Sequence, residues 1–167
     1  RGLGDVYKRQ DITELFEEIV KELPEGLEIL YPNGKGGTKV VKSPRLNYIF
    51  GSSQYIKDIL DEYSKSSAQS ERKFPLVALF TPISEDRGDA DYFSKAKVSL
   101  IIACSSCKEW SNEMRRTTSF KNILRPIYKR LLEVLYEDSR FDCDYDEKVK
   151  HSYSENYSYA VSYTHLT

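Results

Sequence analysis

KVSLIIACSSCKEWSNEMRRTTSFKNILRPIYKRLLEVL, residues 97–135, holds a strand, a loop and a long helix in unbroken succession, and that succession decides the fold. Val98, Ser99, Leu100, Ile101, Ile102 and Ala103 make a strongly apolar strand. Phe120, Ile123, Leu124, Ile127, Tyr128, Leu131 and Leu135 recur at helical spacing. Between them lies a polar and basic loop with Trp110, Asn112, Arg115 and Arg116. A strand feeding a helix through such a loop reads as a scaffold that presents a contact surface, not as an active site.

Composition sets the outer bounds. A chain of 167 residues fits one domain, and about 150 residues suffice for a proper core. The formal net charge of −1 gives no bulk attraction to nucleic acid or anionic membrane. The longest apolar runs, Leu76 to Phe80 and Val98 to Cys104, are far shorter than the roughly 20 residues that span a bilayer, and no basic-then-apolar leader opens the chain. These features predict a soluble protein without an export signal of its own. The three cysteines, Cys104, Cys107 and Cys143, are too few and odd in number for a disulfide framework, which points to a reducing compartment.

Working outward, Asp11 and Glu14 have capping-box spacing ahead of Ile12, Leu15, Phe16, Ile19, Val20 and Leu23, which predict a first helix stopped by Pro24 and Gly26. Leu27, Ile29 and Tyr31, then turn residues 32–37, then Lys39, Val40 and Val41 predict a hairpin. PNGKGG there lacks the Gly-Lys-Ser/Thr ending and following helix of a phosphate loop. Leu46, Tyr48 and Phe50 alternate as a short strand, and Tyr55, Ile56, Ile59, Leu60 and Tyr63 predict a second helix capped by Ser52 or Ser53. Residues 64–73 read as a polar linker. Phe74 to Phe80 reads as an inner strand that Pro82 must stop, antiparallel to Tyr92–Cys104. Phe141, Cys143 and Tyr145 alternate, and Val149, Tyr153, Tyr157 and Tyr159 extend as an edge strand or arm. Pro126 falls inside the helical pattern, so it kinks the helix or marks its true first turn.

Both ends read as foreign to the fold. Arg1 to Gln10 (RGLGDVYKRQ) and Val161 to Thr167 (VSYTHLT) resemble translated sequencing-adapter ends that recur on unrelated metagenomic reading frames. The expected organisation is therefore an artefactual extension at 1–10, one α+β domain at 11–160 and an artefactual extension at 161–167, with the gene cut at its 3′ end. Taking Arg1, Lys8 and Arg9 from the 25 bases and Asp5 from the 26 acids leaves 22 and 25, a net charge of −3. His151 is then the remaining histidine.

Candidate chemistry is thin. Cys104-Ser-Ser-Cys107 has dithiol spacing, but Cys104 ends a strand where no helix dipole lowers its pKa. A zinc site would have to recruit Cys143 and His151 at a spacing that matches no common site. Glu109, Glu113, Asp138, Asp142, Asp144 and Asp146 read as solvated charge, since 138–147 lacks the glycine and terminal glutamate of a calcium loop. Ser119 has no histidine partner but His151, which argues against a Ser-His triad. Arg115, Arg116, Lys121, Arg125, Lys129 and Arg130 form a basic face flanked by Trp110 and Phe120, without a recognised nucleic-acid motif. Thirteen tyrosines, several near the C-terminal end, favour contact surfaces.

The succession LNYIFG at 46–51, the strands at 74–80 and 97–104, Trp110-Ser111-Asn112-Glu113, and Ser119-Phe120 leading to ILRPIY at 123–128 resembles small tail and neck proteins of long-tailed bacteriophages and prophages, the tail-terminator or tail-completion type above all. The resemblance implies a mixed, mostly antiparallel sheet packed by an N-terminal helix and a long C-terminal helix. It also implies a non-enzymatic virion structural protein, assembled in the host cytoplasm, without cofactor or metal. Its expected partners are further copies of itself in a ring, tail-tube protein and connector protein, with neither membrane nor nucleic acid. The expected interface residues are Tyr48, Trp110, Asn112, Arg115, Arg116, Tyr157 and Tyr159. The alternatives are a small nucleic-acid-binding module using Arg115, Arg116 and Lys121, and a thiol or metal enzyme centred on Cys104 and Cys107.

Overall fold

Asp11 opens the fold by capping helix α1 (Ile12–Glu22), its Oδ1 accepting the Thr13 backbone N–H at 2.8 Å and the Thr13 hydroxyl at 2.7 Å. Those bonds, the hydroxyl first, hold the Asp11 carboxyl below its usual range. The structure is a computed structural model that describes residues 11–63, 73–86, 95–107, 109–138, 141, 151–157 and 161–166. Leu15, Phe16, Ile19 and Val20 bury one face of α1. Strands β1 (Glu28–Pro32) and β2 (Thr38–Lys42) follow as the predicted antiparallel hairpin. Asn33 Oδ1 closes its turn by accepting from the N–H groups of Lys35 at 2.8 Å and Gly37 at 3.1 Å, so PNGKGG spends its geometry on itself.

A five-stranded sheet carries the rest. Its strands are β3 (Asn47–Gly51), β4 (Leu76–Asp86), β5 (Lys95–Ser105), β6 (Tyr153–Tyr157) and β7 (Val161–Leu166), in the spatial order β3-β4-β5-β7-β6. The pairing is antiparallel throughout except between β3 and β4. Parallel neighbours need a crossover, and helix α2 (Ser53–Tyr63) lies within it, with the Ser52 hydroxyl accepting the Tyr55 N–H. Gly51 makes the turn into α2 at φ 147°, where an added Cβ would lie 2.6 Å from the Tyr55 ring.

The long C-terminal helix, α3, runs on through three segments: an α-turn at Asn112–Met114, a π-helical stretch at Arg115–Leu124 and α-helix at Arg125–Glu137. Pro126 sits in the first turn of the last segment, where its missing N–H costs least. The sheet then separates two cores. Val77, Leu79, Leu100, Ile102 and Leu166 share one buried cluster with α1 and α3; Leu76, Ala78 and Ala103 share a smaller one with Ile49 and with Ile56 of α2. The fold is mixed α+β with a mostly antiparallel sheet.

One expectation needs correction. Pro82 does not stop β4: a register shift between Phe80 and Ser84 takes Pro82 out of the regular ladder, and pairing with β5 resumes at Ser84↔Lys97. The sheet also takes in residues beyond 160. Residues 161–166 pair with β5 from Leu100↔Leu166 to Ser105↔Val161, and with β6 on their other side. Their alternation explains it, since Ser162, Thr164 and Leu166 are buried toward α3. Residues 64–72 of the expected polar linker fall outside the described residues, as do Cys143, Tyr145 and Val149 of the expected alternation after Phe141.

Ending the chain after Ala160 tests this placement directly. Burial of Leu166 alone is worth about 2 kcal/mol, and β6 loses its neighbour. Urea unfolding of the shortened chain is expected to show a loss of at least about 3 kcal/mol, whereas unchanged stability would place 161–166 outside the cooperative fold.

Candidate protein interface

Ser111 fixes where the basic loop becomes helix, its hydroxyl accepting the Met114 N–H at 3.2 Å. Arg115 then folds back beneath the loop. Its Nε donates to Ser106 Oγ at 3.2 Å, one terminal nitrogen to Asn112 Oδ1 at 3.2 Å and the other to the Cys107 carbonyl at 3.1 Å. At 5% exposure Arg115 is a clamp between β5 and α3, not the surface contact residue the sequence predicts. The next residue does the opposite: Arg116 is exposed and pairs with Glu113 one turn back.

Beside this helix start lies β6, whose alternate residues Tyr153, Glu155 and Tyr157 face α3. The Tyr157 ring stacks on Phe120 with centroids 4.2 Å apart, and Tyr153 on Tyr128 at 4.5 Å. Between them Glu155 takes two bonds from Arg125, at 2.8 and 2.9 Å, plus the Tyr153 hydroxyl at 2.6 Å and the Tyr157 hydroxyl at 3.3 Å. The Arg125 guanidinium, ahead of the two hydroxyls, holds the Glu155 carboxyl down at about 2 despite partial burial. Tyr153 is pushed up by burial first and by Glu155 second. Tyr128 extends the row through its hydroxyl, 2.6 Å from His151 Nε2.

Asn112, Arg116 and Tyr157, together with Glu113, line a shallow open groove of about 210 Å³. Ligand pockets typically run from about 300 Å³ upward and enclose their occupant, so this groove suits a contact surface better than a small-molecule site. Three of the expected interface residues thus come together. Trp110 is half-buried in the adjoining loop, while Tyr159 falls outside the described residues. Tyr48 lies across the sheet on β3, half-buried, donating its hydroxyl to the Thr13 carbonyl at 2.8 Å. Burial, with Glu17 and Asp11 nearby, pushes its pKa up. Sequence reasoning placed Arg125 on the basic face but missed its partner Glu155, although the period-2 spacing of Tyr153, Glu155 and Tyr157 places all three on one face.

Cys104 is buried, and burial pushes its thiol up to about 12, with Ser119 acting weakly the other way. Cys107 is exposed, and its carbonyl serves Arg115. Among the described residues no three His, Cys, Asp or Glu side chains converge as a metal site, and no helix is long and apolar enough to cross a membrane. No protein-family model matches the sequence, and no curated protein matches it significantly.

The neighbouring arginines should separate cleanly in urea unfolding. Arg115→Ala strips three acceptors of their donor and is expected to cost about 2 kcal/mol, whereas Arg116→Ala should stay within about 0.5 kcal/mol. Glu155 adds a pH dependence of its own. Its folded pKa lies below the carboxylate's ordinary 4.5, so its contribution is full above that value and fades as pH falls toward about 2. Compared with Glu155→Gln, the native chain should be more stable by about 1 kcal/mol at pH 6, a figure already reduced for the half-open Arg125, with the gap closing by about pH 2.

Proposed function

We propose that this protein is a non-enzymatic structural component of a bacteriophage or prophage virion, a tail terminator or head-tail joining protein that works by assembling into a ring. Its partners on this reading are further copies of itself, tail-tube protein and connector protein, and its place is the virion. One observation supports the reading above all: the expected contact residues divide between opposite edges of one sheet. Tyr48 lies on β3, while Asn112, Arg116 and Tyr157 gather at β6. A ring built from head-to-tail contacts needs two different surfaces on opposite flanks, because a contact between like surfaces closes as a dimer.

A second reading draws on the basic run itself. Residues 115–130 hold Arg115, Arg116, Lys121, Arg125, Lys129 and Arg130 and no acid, which favours a nucleic-acid phosphate backbone. Against it, Arg115 is buried, and Glu113 and Glu155 neutralise Arg116 and Arg125.

Light scattering and electron microscopy on the concentrated protein, alone and mixed with tail-tube protein, decide between these readings. Rings, or caps on tube ends, are the expected result. Persistent monomer without tube-end binding would overturn the assignment. Micromolar DNA binding that falls steeply with salt and disappears in Lys121→Ala with Arg116→Ala would favour the second reading instead.

A further inference from the structure

Resting on the assembly reading, we infer that copies of this chain join edge to edge, the β3/α1 flank of one docking against the β6/α3 flank of the next, so that their sheets continue as one.

Topology makes the two edges compatible. Each outermost strand is five residues long and, among the described residues, pairs on one side only. Because β3 runs parallel to β4 and every later pairing reverses direction, β3 and β6 point opposite ways. Setting β6 of one copy beside β3 of another therefore gives an antiparallel ladder, the more stable kind. Neither strand carries the lysine, proline or bulge with which sheet edges are commonly blunted.

Charge tells the two flanks apart. Residues 11–25 hold Asp11, Glu14, Glu17, Glu18, Glu22 and Glu25 against Lys21 alone, on the helix that packs over β3 and β4. Asp11 and Glu17 act on Tyr48, which puts their negative potential at the β3 edge. On the opposite flank the exposed Lys121 and Lys129 carry the net positive charge, since Glu113 and Glu155 neutralise Arg116 and Arg125, and Arg125 ties α3 to β6 through Glu155. Lys121 and Lys129 lie one helical turn to either side of Arg125 and make no ion pair among the described residues. Opposite potentials of this kind steer an encounter and reject like-with-like pairing. Aromatic side chains complete the match on the helix-covered face: Tyr48 and the 45% exposed Phe50 at β3, Tyr153 and Tyr157 at β6.

The experiment is a charge exchange followed by sedimentation velocity at about 50 mM salt, where the screening length is still above about 10 Å. One variant carries Glu14→Lys with Glu17→Lys, the other Lys121→Glu with Lys129→Glu; all four sites are exposed, so circular dichroism should match the native chain. Native protein is expected to assemble, less so as salt rises. Each folded variant alone should associate at least about tenfold more weakly, and an equimolar mixture of the two should recover assembly, since each then meets a flank of opposite sign. Variants that assemble like native protein, or a mixture of folded variants that fails to recover, would overturn the edge contact and leave ring assembly standing on some other surface. Native protein that stays monomeric throughout would overturn the contact too, and the assembly reading falls with it only if tube-end binding is also absent.

Discussion

Everything in this fold answers to a strand that is covered on both faces. In β5, Leu100, Ile102 and Cys104 point into the cluster with α1 and α3, while Ile101 and Ala103 point toward α2. A one-residue slip of its register would exchange those two sets. The ladder with β4 and the ladder with β7 must therefore both keep phase, and Val77 opposite Ile102 opposite Thr164 is one row of that shared register. Since β5 leads straight through residues 106–111 into α3, its register also sets where the long helix begins. Arg115 fastens that junction from beneath, bonding across it to Ser106 and Cys107.

The changing pitch of α3 fits what it covers. In the π-helical stretch the buried residues are Arg115, then Ser119 and Phe120, then Ile123 and Leu124, a stagger of four and five. Beyond Pro126 they are Ile127, Leu131, Val134 and Leu135, the stagger of an α-helix. The wider turn meets a small, polar part of the sheet, where Cys104 and Ser162 pair directly and Thr164 is buried nearby. The Ser119 and Ser162 hydroxyls meet no hydrogen-bond partner among the described residues, Cys104 sulfur being only a weak acceptor for Ser119. Each such hydroxyl costs about 1–3 kcal/mol. Phe120 and Leu124, fully buried alongside, offset this at about 2–3 kcal/mol each.

Local signals carried much of this architecture, and long-range ones did not. The stripe from Ile12 to Leu23, the hairpin turn at Asn33 and the apolar run in β5 announce their elements because period, cap and turn chemistry all lie within a few residues of one another. Parallel pairing of β3 with β4 has no such local mark. The proline rule misleads at Pro82 because a bulge, invisible in a single strand's sequence, excuses its missing donor. In residues 161–166 the alternation that buries Ser162, Thr164 and Leu166 is the one local mark of a strand. For the groove beside β6, residue type singled out Asn112, Arg116 and Tyr157, which line it, but type alone could not separate Arg115 from Arg116. Adjacent on the chain, one faces the loop and the other faces water.

The basic flank is ordered before any partner reaches it. Arg125 is held by two bonds to Glu155, and Glu155 by the hydroxyls of Tyr153 and Tyr157, whose rings lie against Tyr128 and Phe120. Exposed ion pairs of this sort add little to stability. On the assembly reading proposed above their larger effect is on binding, where immobilising a long side chain costs about 0.5–1.5 kcal/mol for each one a partner must order. Arg116, held by Glu113, lowers that cost again, leaving Lys121 and Lys129 as the mobile charges on the flank. A surface of fixed aromatic rings and fixed guanidinium groups, edged by a few mobile ammonium groups, favours one orientation of a partner over many. Such selectivity matters more to a closed ring than affinity at any single contact, because a small angular error repeated around the circle prevents closure.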